Sequence, residues 1–375
     1  MNVARSFDWL RRLTDRQFTV FAAVLVMALI YALSAPALWL IASGEYRGRF
    51  PEYLILSEHL WWAPPGSLGE LDILRYRMLF PLLGFASPGT GIIGHILPYL
   101  CSFLAIGVVA RFLIGRLDRV DILPILFLTF STGAFIWGYS HPGHSDSGAV
   151  LMIALCMPLA RRWLIPLAVV LGAMADERLI FAIPSIIVFR MVTNPNFDSA
   201  DRITFRNMLG EAIPFATGVA GVLLYRVMVE SGAIGVGVPE TYQSSDFLNG
   251  LMLSPKESWG SWLAGTFFGL RWCLLALCLA PFVLEGNIAR IAFVVGAIVP
   301  IYASLGFGDV ARGVGYAFPA VLTGLILFSR EMHGIVSRRV IAVLCGLTVI
   351  TPVYGNWPHD LMYPLPLVIA RMMVG

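Results

Sequence analysis

The sequence predicts an all-α polytopic membrane protein with about eleven transmembrane helices and a cytoplasmic N-terminus. Three observations support this fold class. Of the 375 residues, 58% are hydrophobic and only 13% are charged, whereas soluble domains contain roughly a quarter charged residues. The hydrophobic residues form runs long enough for membrane helices. The links between these runs alternate between arginine-rich and carboxylate-rich segments, and such a bias orients membrane proteins.

Apolar runs of helical length recur along the whole chain. The predicted spans are about 17–43, 91–114, 121–139, 147–160, 163–176, 178–193, 209–229, 261–284, 291–306, 313–329 and 340–355. The fourth to sixth spans are short for a hydrocarbon core of about 30 Å, as is typical of helices that are tilted, broken or buried among neighbours. We identify no internal repeat, soluble domain or low-complexity linker, so residues 1–375 are predicted to form a single integral-membrane domain.

The first span follows an arginine-rich segment, which places the N-terminus in the cytoplasm. Its arginines are Arg5, Arg11, Arg12 and Arg16. A cleaved signal peptide is the competing interpretation, because residues 32–35 read Ala-Leu-Ser-Ala and resemble a cleavage site. The apolar run is long for a signal peptide and further spans follow it, so a retained first span is the better prediction.

Counting eleven spans from a cytoplasmic N-terminus agrees with the positive charge bias at each of the inside links. Those links contain Arg116 and Arg119, Arg161 and Arg162, Arg202 and Arg206, Arg290, and Arg330, Arg338 and Arg339. His59, His141, His144 and most carboxylates fall in the opposite, outside links. A wrong number of spans would put some arginine-rich links outside, so this agreement supports the count.

Two outside links are long, at about residues 44–90 and 230–260. The first contains a Trp-Trp pair at 61–62, and the second contains Trp259 and Trp262. Tryptophans near such links are typical of anchors at the membrane surface. We therefore expect short surface helices in the first outside loop.

Composition and absent motifs disfavour several classes of protein. The net charge of +3 is small and spread over several links, which argues against nucleic acid as a partner. The chain has no Walker-type phosphate loop, dinucleotide-binding fingerprint or HExxH motif, so an ATP-driven pump and a zinc protease are disfavoured. The five cysteines lie in apolar runs without metal-type spacing and are predicted to be buried hydrophobes. We predict no cofactor, but a divalent cation is left open.

The densest polar segment is residues 141–146, which read His-Pro-Gly-His-Ser-Asp. The Pro-Gly turn can bring His141 and His144 to one side. With Asp146, these imidazoles are able to ligate a divalent cation, to move protons or to contact substrate. The alternative is a hydrogen-bonded turn in which Ser145 or Asp146 is the N-cap of the next helix.

The triplet Asp176-Glu177-Arg178 lies between two short apolar runs with no polar buffer on either side. Three successive charges at the bilayer edge are costly unless they face water, a cavity or each other. The triplet is therefore predicted either to form a structural ion pair or to act in binding and catalysis.

Four further charged residues leave similar choices open. Asp309 and Arg312 are spaced for an ion pair on a helix surface, or for an arginine that faces a phosphate while the aspartate orients it. Arg226 and Arg271 lie within predicted spans, so we expect them to line a cavity or to form buried pairs rather than to face lipid.

The first outside loop mixes carboxylates with arginines. It contains Glu45, Glu52, Glu58, His59, Glu70 and Asp72, together with Arg47, Arg49, Arg75 and Arg77. Such a mixture can bind an anionic headgroup and supply a general base. The alternative is a solvated loop whose charges neutralise one another.

Two segments of this loop resemble motifs of the integral-membrane GT-C-type glycosyltransferases. Residues 45–50 read Glu-Tyr-Arg-Gly-Arg-Phe, which is similar to the Tyr-Asp-Gly-Gln-Phe-Tyr-type segment after the first span of bacterial members. Residues 74–83 read Leu-Arg-Tyr-Arg-Met-Leu-Phe-Pro-Leu-Leu and match a Tyr-Arg-Tyr-Arg-x-Leu-x-Pro-Leu-type segment more closely. The Asp-Val-Ala-Arg link at 309–312, before a proline-containing span, also looks like that of the family.

The resemblance implies an enzyme that takes a sugar from a polyprenyl-phosphate donor at the outer face of the inner membrane. In that family an acidic residue of the first outside loop acts as the base. Its position here is Arg47, which cannot act as a base at neutral pH. Glu45 is the expected substitute; otherwise the chain is a degenerate member that binds without turnover. Arg75 and Arg77 are expected to bind phosphate or to brace the loop.

The leading hypothesis is a glycosyltransferase-like protein of the bacterial inner membrane that acts on a cell-envelope acceptor, with a polyprenyl-phosphate-linked sugar or another lipid as its partner. Its catalytic candidates are Glu45, Asp176 and Glu177. Its substrate-binding candidates are Arg75, Arg77, His141, His144, Asp146, Arg178, Asp309 and Arg312.

The rival hypothesis is a non-catalytic membrane protein, either a transporter or a lipid-binding partner in envelope assembly. Ionisable residues clustered at the outer mouth, without a visible repeat, argue against a transporter.

Overall fold

The computed structural model is predominantly helical. It describes residues 8–33, 50–64, 67–68, 74–86, 90–140, 145–193, 204–238, 259–284, 286–306, 310–331, 334–351, 353–356 and 360–362. Within these ranges the regular structure is a succession of helices, and one short pair of strands lies near the C-terminus.

The helices follow the predicted apolar runs. Those of the N-terminal half are α1 (Asp8–Arg12), α2 (Asp15–Leu33), α3 (Phe50–His59), α4 (Leu79–Phe85), α5 (Thr90–Leu113), α6 (Arg119–Phe130), α7 (Gly133–Ser140), α8 (Asp146–Cys156), α9 (Ile165–Ala173) and α10 (Leu179–Thr193). Those of the C-terminal half are α11 (Phe205–Glu230), α12 (Trp259–Leu270), α13 (Cys273–Val283), α14 (Asn287–Ala303), α15 (Val310–Val314), α16 (Phe318–Glu331) and α17 (Gly334–Ile350). The described part of each predicted span falls on one helix or on two consecutive helices, except for the end of the last one, which lies in a strand. The short helices α3 and α4 confirm the expected helices of the first outside loop.

Five helical segments of the described residues are long and apolar enough to cross a membrane, so the chain is a multi-pass membrane protein. They are Asp15–Ala32, Ile96–Leu113, Phe205–Glu230, Asn287–Gly306 and Val310–Arg330. A sixth crossing results if the bent pair of α12 and α13 is one broken span. Apolar helices of lesser length occupy the positions of the three predicted short spans. The total of eleven spans stays a prediction.

The segment that contains α15 and α16 lies at the centre of the bundle, because residues 310–328 are all buried. Helix α16 packs against α6, α10 and α13. Helix α11 lies at the periphery instead. Only 28% of the residues in its apolar stretch are buried, and the helix exposes side chains such as Leu209, Ile213 and Leu224. Such a face is compatible with contact to lipid.

Glycines let α15 lie very close to its neighbours α7 and α12. A Cβ atom added to Gly133 would overlap the carbonyl group of Ala311, and a Cβ atom on Gly269 would meet the same carbonyl. A Cβ atom on Gly315 would overlap the backbone of Ala134. Since small residues allow close approach between membrane helices, these glycines determine where α15 lies.

Helices α12 and α13 meet at an angle of 86°. Arg271 lies at this bend with a φ of 52°, in the left-handed region that few residues other than glycine adopt. Its side chain is fully buried, which confirms that it does not face lipid. Arg271 Nη1 donates to the carbonyl of Thr348 at 3.1 Å, whereas Nε and Nη2 have no hydrogen-bond partner in the described part of the chain.

The prediction of a purely α-helical chain omitted one element. Strands β1 (Val353–Asn356) and β2 (Asp360–Met362) form an antiparallel pair, with Val353 opposite Met362. The last predicted span, about 340–355, was therefore too long at its end. Its helix ends at Ile350, because Pro352 lacks a backbone N–H and disfavours the α conformation of the preceding residue.

The links that the sequence assigns to the cytoplasm lie together at one end of the bundle, here called the arginine-rich end. Ion pairs join α1, the α5–α6 link and the start of α17; they are Arg11–Asp118 at 2.5 Å, Arg338–Asp118 at 3.4 Å and Arg338–Asp121 at 2.6 Å. A second set joins α10, α11 and the segment before α9; these pairs are Arg162–Glu211 at 2.5 Å and Arg190–Glu211 at 2.7 Å.

The predicted outside links lie at the opposite end. Helix α8 connects the two ends, because it begins at Asp146 and its last residue, Cys156, accepts a hydrogen bond of 2.8 Å from Arg190. At 1.5 Å per residue, α8 separates the two ends by roughly 16 Å. The two classes of link are thus separated along the bundle.

Replacing Gly133 with alanine is expected to lower stability, because the new methyl group overlaps the carbonyl of Ala311 and α15 must move. Overpacking of this kind costs about 1–3 kcal/mol, which can be measured as a lower melting temperature in detergent. Gly210→Ala in α11 is the matched control, because nothing lies within 4 Å of its added Cβ atom. Equal melting temperatures for Gly133→Ala and the unchanged protein would contradict the close packing of α15.

Candidate functional site

A buried network of arginines and carboxylates occupies the end opposite to the arginine-rich end. We call it the charge network and define it by Arg77, Asp146, Asp176, Glu177, Arg178 and Arg312, with the hydroxyl group of Tyr316. Four segments contribute these residues: the stretch before α4, the start of α8, the α9–α10 link and the segment from α15 to residue 316. Each of these residues is at most 6% exposed.

Each arginine of the charge network forms a bidentate pair with one carboxylate. Arg77 donates to Glu177 at 3.0 and 2.7 Å. Arg178 donates to Asp176 at 2.9 and 2.6 Å. Arg312 donates to Asp146 from Nε and Nη2, both at 2.6 Å. Two parallel N–H···O bonds define the orientation of both groups, which is the strongest geometry available to such pairs.

Longer contacts join the three pairs into one network. Asp176 Oδ2 lies 3.5 Å from Arg77 Nη1 and 3.2 Å from Arg312 Nη2. Asp146 Oδ1 lies 3.2 Å from Arg178 Nη2 and accepts a hydrogen bond of the same length from Tyr316. Asp146 therefore contacts two arginines and Asp176 contacts three, so the three pairs are linked to one another.

The charge network is electrically balanced, with three arginines and three carboxylates. Burial raises the pKa of a carboxylate, but Arg178 and Arg77 outweigh this effect at Asp176 and hold its pKa well below the usual range. At Glu177, which lies in the same link, Arg77 likewise outweighs burial and lowers the pKa. Both carboxylates are therefore ionised at neutral pH, and charge balance makes their burial tolerable.

Ser145 connects the charge network to the surface helix α3. It is the N-cap residue of α8, but its side chain does not cap that helix. Instead, Ser145 Oγ donates to the carbonyl of Ala175 and accepts a hydrogen bond of 2.9 Å from Tyr53. Leu79 N also donates to the carbonyl of Met174 at 3.0 Å. The first outside loop thus packs directly on the α9–α10 link.

Arg75 braces the first outside loop. Its guanidinium donates to the carbonyls of Ala63 at 3.0 Å and Pro64 at 3.2 Å, and the residue is 1% exposed. Arg75 was expected either to bind phosphate or to brace the loop. Its described contacts are those of a residue that braces the loop. Arg77, two residues later, belongs to the charge network instead.

The second outside link is attached to the same loop. Tyr76 donates to Glu230 at 2.9 Å, and its ring lies 4.0 Å from the guanidinium of Arg226. Arg226 also pairs with Glu230 at 3.7 Å. The expectation that Arg226 forms a buried pair is confirmed.

The structure brings together most of the predicted site residues that it describes. Asp176, Glu177, Arg77, Asp146, Arg178 and Arg312 all belong to the charge network. The candidates Glu45, His141, His144 and Asp309 lie outside the described residues. Within the triplet, Asp176 and Arg178 form the expected ion pair. Glu177 pairs with Arg77, which is not part of the triplet.

Tyr316 and Tyr53 were not among the predicted site residues. Tyr316 lies four residues after Arg312, a spacing that places two side chains on the same side of a helical segment, so this signal was available in the sequence. Nothing in the sequence indicated that Tyr53 would reach Ser145, because these residues are 92 positions apart.

Among the described residues, no group of three or more histidines, cysteines, aspartates or glutamates is arranged to hold a metal ion. The carboxylates of the charge network are instead neutralised by arginines. The predicted histidine-based cation site includes His141 and His144, so it is not tested by the described contacts.

In comparisons with protein-family models, curated proteins and solved structures, nothing matches this chain. The resemblance to GT-C-type glycosyltransferases therefore rests on the short motifs of the sequence.

Replacing Arg312 with methionine is expected to destabilise the protein strongly. The substitution leaves three buried carboxylates against two arginines, and breaking a buried ion pair costs about 3–5 kcal/mol. The double variant Arg312→Met/Asp146→Leu restores the charge balance, so it should recover more than half of the loss. Thermal unfolding in detergent measures both effects.

Arg338→Met is the matched control for this series. Its side chain is 48% exposed, and exposed ion pairs contribute at most about 1 kcal/mol. If the double variant is as unstable as Arg312→Met alone, charge balance is not what makes the network stable.

Proposed function

We propose that this chain is a glycosyltransferase-like membrane protein that uses a polyprenyl-phosphate-linked sugar at the non-cytoplasmic face. The observation that supports the proposal most is the convergence of the predicted outside links on one charge network. Arg77 lies within the better of the two family-like motifs of the first outside loop, and Arg312 ends the third family-like segment. These two arginines, from distant parts of the sequence, contact the same carboxylate, Asp176.

In the proposed reaction the acceptor hydroxyl attacks the anomeric carbon of the donor sugar. The bond between that carbon and the phosphate oxygen breaks, a new glycosidic bond forms, and polyprenyl phosphate leaves. The hydroxyl proton passes to a carboxylate base. Arginines near the leaving phosphate stabilise its charge as the bond breaks.

The contacts favour Glu45 over Asp176 and Glu177 as the base. A general base is most effective when its pKa lies near the working pH, whereas arginines hold the pKa values of Asp176 and Glu177 low. These two carboxylates are better suited to positioning Arg77 and Arg178. The motif resemblance places the base at position 47, where this chain has Arg47, and the neighbouring Glu45 is the proposed substitute.

The charge network supplies oriented arginines for the donor phosphate in this proposal. Bidentate pairing holds Arg77, Arg178 and Arg312 in place, so less side-chain entropy is lost when an anion binds beside them. His141, His144 and Asp309 are proposed substrate contacts, because they are within five residues of Asp146 or Arg312 in the sequence.

The proposed topology has eleven spans, with the arginine-rich end in the cytoplasm of a bacterial cell and the charge network at the outer face of the inner membrane. The separation of the two kinds of link along α8 supports this orientation, since arginines concentrate in cytoplasmic links. A polyprenyl-phosphate donor in the outer leaflet could then reach the site from the lipid.

A non-catalytic lipid-binding protein is the second candidate. It is favoured by Arg47 at the position of the family's acidic residue, and by the full pairing of each network arginine with a carboxylate. Such a protein would hold a polyprenyl phosphate without breaking the sugar bond.

Purified protein in detergent should release polyprenyl phosphate from at least one member of a panel of radiolabelled polyprenyl-phosphate hexoses and pentoses, given an envelope-glycan acceptor. Glu45→Gln should lower the rate by about 10²–10⁴-fold, the usual contribution of general acid–base catalysis. Thin-layer separation of the released lipid measures the rate.

Glu58→Gln is the matched control, because Glu58 is an exposed carboxylate of helix α3 in the same outside loop. Its rate should equal that of the unchanged protein. Undiminished turnover by Glu45→Gln would remove Glu45 from the mechanism. Saturable retention of the donors without any release would instead support the non-catalytic candidate.

A further inference from the structure

Two grooves adjoin at the arginine-rich end, far from the charge network. The larger has a volume of about 740 Å³ and lies between α1 and the α5–α6 link. The smaller, of about 360 Å³, lies between the end of α5, the α8–α9 link and α11. Arg116 lines both grooves, so it stands at the boundary between them.

The two grooves carry an excess of positive charge. Their arginines are Arg11, Arg111, Arg116, Arg119, Arg162 and Arg190. Their carboxylates are Asp15, Asp118 and Glu211. Among the residues that line the grooves, six arginines stand against three carboxylates, an excess of three positive charges. Asp8, which lines neither groove, lies 3.6 Å from Arg11.

Each of these carboxylates already contacts two arginines. Asp15 accepts from Arg111 and Arg119. Asp118 accepts from Arg11 and also contacts Arg338. Glu211 accepts from Arg162 through one oxygen and from Arg190 through the other. None of them contacts Arg116 in the described part of the chain.

No carboxylate of the described residues contacts Arg116, whose position is fixed by Phe112. Its guanidinium carbon lies 3.9 Å from the ring centroid of Phe112, and Nη1 donates to the carbonyl of the same residue at 2.7 Å. Partial burial, together with the charge of Arg330, lowers the pKa of Arg116. A guanidinium has five N–H donors, so Arg116 retains donors that can be directed toward an anion.

Tryptophans flank both grooves. Trp9, two residues from Arg11, is 46% exposed, and Trp163, next to Arg162, is 70% exposed. Exposed tryptophans at the ends of membrane helices are typical of the lipid headgroup level. The grooves therefore open where phosphate-bearing headgroups are concentrated.

We propose that the two grooves form a binding site for a phosphate group, with Arg116 as its central ligand. A planar guanidinium donates two parallel hydrogen bonds to phosphate oxygens, and the excess of arginines over carboxylates in the groove lining attracts an anion. The phosphate can belong to an anionic lipid headgroup or to a soluble compound. This site does not depend on the proposed transferase activity, because it lies at the other end of the bundle.

Native mass spectrometry of the detergent-purified chain tests the site with two probes. One is dioleoyl phosphatidylglycerol, with dioleoyl phosphatidylcholine as the zwitterionic comparison, and the other is inorganic phosphate. The unchanged protein should retain phosphatidylglycerol at least several-fold better than phosphatidylcholine. Arg116→Gln should weaken this retention about tenfold, the effect of losing charge-assisted hydrogen bonds.

Arg12→Gln is the matched control, because it removes an exposed arginine at the same end that lines neither groove. It should leave retention within about twofold. Arg116→Lys, which keeps the charge but not the planar donors, should fall between the two. The melting temperature of Arg116→Gln, expected to be unchanged, separates loss of binding from loss of folding.

If the protein retains phosphatidylglycerol but does not bind inorganic phosphate, and Arg116→Gln loses this retention, the source of the phosphate is a lipid. Arg116-dependent binding of inorganic phosphate with equal retention of the two lipids identifies a soluble ligand. Equal loss in Arg116→Gln and Arg12→Gln, or no binding of either probe by the unchanged protein, would overturn the proposal.

Discussion

The balance between three arginines and three carboxylates is the constraint on which the end of the bundle that holds the charge network depends. Arg77, Arg178 and Arg312 are all buried, and each would be prohibitively costly without its carboxylate. Because the partners come from distant segments, satisfying these charges requires the first outside loop, α8, the α9–α10 link and α15 to meet. The same interactions that neutralise the charges therefore assemble the site.

The packing around the charge network follows from this requirement. Gly133 and Gly269 admit the carbonyl of Ala311, and the close approach of α15 places Arg312 opposite Asp146. On the other side, Tyr53 and Ser145 attach the surface helix α3 to the start of α8. The site is thus built from helix ends and short links supported by a rigid bundle, an arrangement suited to holding a charged ligand.

The helices and the division of the charges between two ends could be predicted from the sequence, because apolar runs and arginine-rich links are local signals. The pairing within the charge network could not. Asp176 and Arg178 are neighbours, but the partner of Glu177 is Arg77, 100 positions away, and no local pattern indicates that contact. The strands after α17 were missed for a different reason: a short apolar stretch in a membrane protein resembles the end of a span.

The bend between α12 and α13 has a consequence for how the chain enters the membrane during synthesis. Each half-helix is too short to cross a bilayer alone, at roughly 16–18 Å against a core of about 30 Å. Arg271 at the bend has its acceptor, Thr348, 77 residues further along the chain. Until α17 has been synthesised, Arg271 lacks this acceptor. The contact that holds the bend in place therefore forms only after the final helix has been made.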